Sequence, residues 1–265
     1  MGTLPSNMIQ TYAKLDILDI FSPVSDEEAN DSIHDIAPKI SPMDSIPMAL
    51  LKGYSDVFRP LITNLLFTEG TFSIMFKTGQ VTPLLKNHGV SRDDMANYRP
   101  ITNLNTIGIL ERLVLWWLWR HMPKSANIGH LQSAYRTLHS TETAMAKVIS
   151  DQLMATDGSN PSILLSLDIS AAFDTLDHCH LLERDHNLFS FSASVLDWLR
   201  SYLAGHQQYV AFGSCRSSSM LSTSGMLQGS VLSPLLFSIF TTPVSCLITF
   251  RLLRFSVLTF LFLYW

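Results

Sequence analysis

The chain has 265 residues, of which 47% are hydrophobic and 15% charged, with a formal net charge of −4. Ordinary soluble proteins carry roughly 25% charged residues, so this composition leans inward, toward one large or two small domains with sizeable cores and limited solubility. The net charge argues weakly against a stand-alone nucleic-acid binder, and three cysteines without a short spacing suggest neither a disulfide framework nor a Cys-x-x-Cys metal site.

Charge is unevenly spread. Residues 1–60 hold nine acids and four bases, whereas Lys77 to Lys147 holds nine bases against four acids, enough to follow a phosphate backbone or simply to form a solvated basic face. The opening residues lack a basic start followed by an apolar stretch, so they do not read as a signal peptide, and an intracellular setting is expected. Nothing in the sequence separates nucleus from cytoplasm.

Residues 22–47 mix acids, serines and four prolines without periodicity, so residues 1–40 are expected to be a loop-rich or disordered lead-in, with structure starting near Met48. The spacing of Ile107, Leu110, Val114, Trp117 and Leu118 predicts a helix over 107–120, and Trp116, Trp117 and Trp119 are expected in its core rather than as a base-stacking platform. Thr141 is placed to cap a second helix whose Met145, Val148, Ile149 and Leu153 share a face. A turn over 156–162 leads into an apolar strand, Ile163 to Leu167, and a further helix is expected to begin near Ala171. Asp174 and Asp177 fit the solvated, capped start of that helix.

An amphipathic helix is predicted over 195–203. "QQYVAF" and "SSMLST" then flank a short loop and predict a hairpin, and Gly225 and Gly229 mark sharp turns before an apolar helix. Helices alternating with a few strands give a mixed fold, α+β or α/β.

Asp168 ends the apolar strand. A carboxylate there is costly unless a cation meets it, and a divalent metal is the strongest compensation available. Small neighbours, Ser170, Ala171 and Ala172, leave space beside it, with Phe173 as one wall. A zinc site from His178, Cys179, His180 and His186 matches no common spacing.

"LLSLDISAAFDTLDH" (164–178), "NYRPITNL" (97–104), "LQSAYRTLHSTETA" (131–144) and "LQGSVLSPLLFSIF" (227–240) follow one another in an order that resembles the reverse transcriptase domain of non-LTR retrotransposons. The likeness also takes in "SPMDSIPMALLK" (41–52) and "VTPLLKN" (81–87). It implies an α+β fold, an incomplete right hand with fingers and partial palm but no thumb, over residues 41–245, followed by an apolar tail, 246–265, outside the likeness. By resemblance, Asp168 is a catalytic, metal-binding aspartate for Mg2+, and the carbonyl of Ile169 a secondary ligand. Phe173 screens the sugar of the incoming nucleotide, Arg99 and Lys86 grip its triphosphate, and Gln228 with Gly229 line its pocket. The implied partners are an RNA template, a DNA primer and deoxynucleoside triphosphates.

The sequence departs from the family pattern in places. Leu227 stands for the usual proline and Ser233 for the usual glycine, changes that bear on the pocket turn. The family's Tyr/Phe-Ala-Asp-Asp hairpin is missing: Asp197 is the last acid, and residues 198–265 contain none. The expectation is therefore a polymerase segment without its second pair of metal-binding carboxylates, and without polymerase activity. Alternatives are a non-catalytic nucleic-acid-binding remnant and a membrane association through the apolar C-terminus. There, uncharged runs of 16 and 11 residues, with Pro243 in the first, fall short of the roughly 20 that a spanning helix needs, so a membrane is not among the expected partners.

Overall fold

The computed structural model describes residues 17–21, 27, 34, 47–58, 60, 70–103, 108–122, 132–136, 138–158, 164, 169 and 172–251. In chain order its main elements are α1 (Met48–Gly53), β1 (Thr78–Leu85), β2 (Tyr98–Asn103), α2 (Gly108–His121), α3 (Thr141–Asp157), α4 (His178–Phe189), α5 (Ala193–Leu203), β3 (Gln207–Phe212), β4 (Cys215–Arg216), β5 (Met220–Leu221) and α6 (Ser233–Arg251).

The sheet is mixed. β1 and β2 form an antiparallel pair with Val81 opposite Thr102 and Leu84 opposite Arg99, while β3 lies parallel to β1 on its other side, with Gln80 opposite Tyr209. β4 and β5 both pair antiparallel to β3, which gives the order β2-β1-β3-β4 and confirms the hairpin predicted from "QQYVAF". A parallel pair needs a long crossover, and the chain makes it through α2 to α5. The mixed α and β class expected from the sequence is the one observed.

The core follows the helical stripes. On α2 it takes Leu110, Leu113, Val114, Trp117 and Leu118, and on α5 Val195, Trp198, Leu199, Tyr202 and Leu203. Trp198 stacks on Tyr202 at 5.4 Å and meets Phe72 edge-on at 5.6 Å. Trp117 is buried, and Trp116 and Trp119 pack partly buried against the same core, as core residues rather than an exposed platform. Each such large side chain contributes about 1.5–3 kcal/mol on burial. α6 adds Leu235, Leu236, Phe237 and Ile239.

Several expectations are corrected. Structure starts before Met48: Leu18 bridges to Phe191, and Phe21 is buried with its ring 5.0 Å from Trp117. The cap of α3 is Ser140, not Thr141, and Ser140 and Thr143 bond reciprocally in a capping box. The buried residues of α3 are Ala144 and Val148, whereas Met145, Ile149 and Leu153 are exposed, so an apolar face read from periodicity is not the packed one. The helix expected near Ala171 begins at His178, because residues 172–175 turn first and Asp177 caps the helix by accepting from the His180 amide at 2.8 Å. Of the expected strand Ile163 to Leu167 only Leu164 is described; it belongs to no strand and is 49% exposed.

Candidate functional site

Three segments meet beside β2. The first is β2 itself, which carries Arg99. The second is the turn 172–175, with Phe173 and Asp174. The third is the loop 225–231, with Gln228 and Gly229. What joins them is mostly backbone.

Thr102 donates its N–H to the carbonyl of Gln228 at 2.7 Å, away from β1, so the loop docks on the outer edge of β2 three residues from Arg99. Gly229 has φ +120°, and a Cβ there would lie 2.5 Å from the Thr102 carbonyl oxygen, which explains why glycine stands at the closest approach. On the other side, the Gly225 N–H donates to Leu176 O and the Met226 N–H to Phe173 O, at 2.8 and 2.7 Å. Gly225 also has positive φ, and a Cβ would sit 2.7 Å from the carbonyls of Phe173 and Asp174. The loop is thus held between β2 and the Phe173 turn.

Side chains add to this frame. Gln228 Nε2 reaches Asp174 Oδ1 at 3.4 Å, and Phe173 is half-buried with its ring 5.0 Å from Phe237. Arg99 is half-buried on β2 and makes no ion pair among the described residues. Lys86 is exposed just past β1, its N–H donating to Asn97 O at 2.8 Å, so it stands at the same end of the β1–β2 pair as Arg99. Both are cations, and Arg99 offers the forked donor set that suits phosphate oxygens.

Of the residues singled out from the sequence, Arg99, Phe173, Gln228 and Gly229 lie on these three segments, and Lys86 lies beside them. Ile169 is 42% exposed, and Asp168 lies outside the described residues. Among the described residues no group of three or more His, Cys, Asp or Glu side chains is placed to hold a metal ion. His178 meets Gly225 O, His186 meets Phe191 O and His180 pairs with Asp177, so the histidines of α4 face different partners.

The two departures in the loop are accommodated. Leu227 is buried, and the Ser233 hydroxyl donates to Leu227 O at 3.1 Å, closing the loop on itself. The sequence reading missed the group that anchors this loop from beneath, Glu111. It is 1% exposed on α2 and accepts from Tyr202 and from the Val231 N–H. A signal was present, because Glu111 falls four residues after Ile107 and three before Val114, inside the apolar stripe, and a carboxylate inside a stripe is rarely there for packing.

Residues 85–264 match the family model described as reverse transcriptase (RNA-dependent DNA polymerase), a range that holds every site residue named above and most of the stretch after residue 245. The chain is 30% identical over 224 residues to the RNA-directed DNA polymerase from mobile element jockey of Drosophila funebris, covering 83% of this chain and 24% of that protein. The probable RNA-directed DNA polymerases from transposon BS and from transposon X-element of Drosophila melanogaster are 28% and 29% identical, over 84% and 68% of this chain and 25% and 20% of their own lengths. The chain therefore spans about a quarter or less of the length of these curated relatives. No helix among the described residues is long and apolar enough to cross a membrane. The chain belongs to the reverse transcriptase (RNA-dependent DNA polymerase) family, in its non-LTR retrotransposon branch.

Proposed function

We propose that the chain supplies the fingers and part of the palm of an RNA-directed DNA polymerase, within residues 41–245, and that the frame beside β2 is its pocket for an incoming deoxynucleoside triphosphate. In this reading Arg99 and Lys86 take the triphosphate, Phe173 screens the sugar 2′ position and Gln228 with Gly229 bound the base side. The single observation that carries it is the docking of the Gln228–Gly229 turn onto the strand that bears Arg99 and onto the turn that bears Phe173. Three motifs far apart in sequence meet in one place that holds a cation, an aromatic wall and a closely approached backbone.

Reverse transcriptases generally use divalent metal ions. For this chain we assign Mg2+, held by Asp168 with the carbonyl of Ile169, and propose an RNA template and a DNA primer as partners in an intracellular setting. Metal ions at such a centre stabilise the attacking and leaving oxygens of nucleotidyl transfer. Because residues 198–265 contain no carboxylate, we expect these 265 residues by themselves to bind nucleotide without extending a primer.

The test is a pair of measurements on the purified chain. A fluorescently labelled deoxynucleoside triphosphate should bind, and Arg99→Ala should weaken it by about tenfold or more, the usual value of a charge-assisted contact. Extension of a DNA primer on an RNA template should be undetectable. Nucleotide binding that ignores Arg99 sinks the pocket assignment, and Asp168-dependent extension sinks the expected inactivity.

A further inference from the structure

The Gln228–Gly229 loop is fixed from two sides by β2 and the Phe173 turn, and its third support is a buried acid. Glu111 Oε1 accepts from the Tyr202 hydroxyl at 2.7 Å, and Oε2 accepts from the Val231 N–H at 2.6 Å. The Tyr202 oxygen also lies 2.6 Å from Ser230 Oγ. Since the Tyr202 proton goes to Glu111, the Ser230 proton goes to Tyr202. Ser230 Oγ then accepts the N–H groups of Leu232 and Ser233, at 3.1 and 3.3 Å.

The start of a helix leaves N–H groups without intrahelical partners. Here the amides of Val231, Leu232 and Ser233, leading into α6, all end on Glu111 or on the serine that Glu111 orders through Tyr202. Burial pushes the Glu111 carboxyl upward, while the bonds from Tyr202 and Val231 pull it back. The positive end of α6 works in the same direction as those bonds. An apolar residue would fill the space without this desolvation cost. What it would not do is hold the loop, because nothing else on α2 reaches the Val231 amide among the described residues.

We propose that Glu111 is a positioning residue for the nucleotide pocket: through Val231 directly, and through Tyr202 and Ser230, it fixes the loop that presents Gln228 and Gly229. The inference rests on the reading of that loop as part of a nucleotide site, so its test has two separate readouts. Glu111 touches no substrate; it acts by setting where Gln228 and Gly229 stand.

The experiment compares the full chain with Glu111→Gln, Glu111→Leu and Tyr202→Phe, using amide hydrogen exchange and the affinity for the labelled deoxynucleoside triphosphate with Mg2+. Glutamine keeps an acceptor for Val231 and offers an N–H to the Tyr202 oxygen, whereas leucine keeps neither. Glu111→Leu should speed exchange at Val231, Leu232 and Ser233 by about tenfold or more, and Tyr202→Phe should speed it at Leu232 and Ser233 with Val231 less affected. Both should weaken nucleotide binding, with α4 unchanged, and Glu111→Gln should recover most of the losses. If Glu111→Leu does not fold, Tyr202→Phe carries the comparison. Unchanged exchange in the loop overturns the inference. So does exchange that rises equally in α4, which would make Glu111 a general core group. A loosened loop with intact affinity, in a protein whose binding is lost with Arg99→Ala, overturns the pocket role alone. Absence of nucleotide binding by the unaltered chain overturns the nucleotide-site reading and the pocket role with it, and the exchange data then decide only whether Glu111 holds the loop.

Discussion

The Thr102 carbonyl oxygen lies 2.5 Å from the point that a Cβ on Gly229 would occupy, and the Thr102 N–H is bonded to the residue before it, Gln228. Loop and strand are therefore in backbone contact, with no side chain between them. Gly229→Ala meets two penalties: strain at φ +120° and a clash with an atom that cannot swing aside. Together they should cost about 2–4 kcal/mol. Gly213→Ala is the matched control, since Gly213 also has positive φ, +60°, but open space around it, and strain alone should cost about 1–2 kcal/mol. Urea unfolding of both variants separates the terms. Equal losses would mean that the loop does not sit tightly on β2.

How much of this was legible in the sequence depended on whether the signal was local. The stripes of α2 and α5 were largely legible because their apolar residues recur at helical spacing: Leu110, Val114, Trp117 and Leu118 on α2 and Val195, Leu199, Tyr202 and Leu203 on α5 are buried, whereas Leu196 is half-buried and Ile107 lies outside the described residues. Gly225 and Gly229 were recognised as turns, but their contacts with Asp174 and Thr102 arise from tertiary docking that no local pattern encodes. The site residues themselves were found by family motifs, not by periodicity. Glu111 was overlooked although its place in the stripe marked it, because its partners Tyr202 and Val231 come from distant segments. The start of α4 was set too early because the small residues after Ser170 are compatible with a helix, and only the Asp177 cap fixes where it begins.

Ser140, and not Thr141, caps α3, so the two neighbouring hydroxyls should differ in value. Ser140→Ala removes the acceptor for the Thr143 amide and one half of the reciprocal pair, and should cost about 1 kcal/mol. Thr141→Ala, in the first turn, should cost less than about 0.5 kcal/mol. Thermal unfolding of the two variants under one buffer decides between them. The reverse order would return the cap to Thr141.

Asp185 is fully buried on α4, and neither carboxylate oxygen has a hydrogen-bond partner among the described residues. Burial holds its carboxyl well above the ordinary aspartate value. As pH rises past that ordinary value, the unfolded chain releases a proton that the folded chain keeps, so stability must fall until the folded form ionises too. Asp185→Asn removes the titration at nearly constant volume. At pH 5 the variant should already be the more stable of the two, and by pH 8 its advantage should have grown, by roughly 1.4 kcal/mol for each further pH unit below the folded value. Urea midpoints at the two pH values measure this. Parallel losses in both proteins would show that the carboxylate is solvated or paired after all.

The two faces of α3 give the sharpest contrast between pattern and packing. Val148 is 2% exposed and Leu153 59% exposed, although both were assigned to one apolar face from their spacing. Val148→Lys places an ammonium group at a position only 2% exposed, and the usual outcome of burying an unpaired charge is a loss above about 3 kcal/mol or failure to fold. Leu153→Lys changes only a side chain already in solvent, so its effect on stability should stay within about 0.5 kcal/mol, and replacing an exposed leucine by a charge should raise the concentration at which the chain stays monomeric. Urea unfolding and sedimentation of the two variants test both statements. A loss above about 2 kcal/mol for Leu153→Lys would show that this face of α3 is covered in the folded protein, and the helix would then pack on both of its apolar sides.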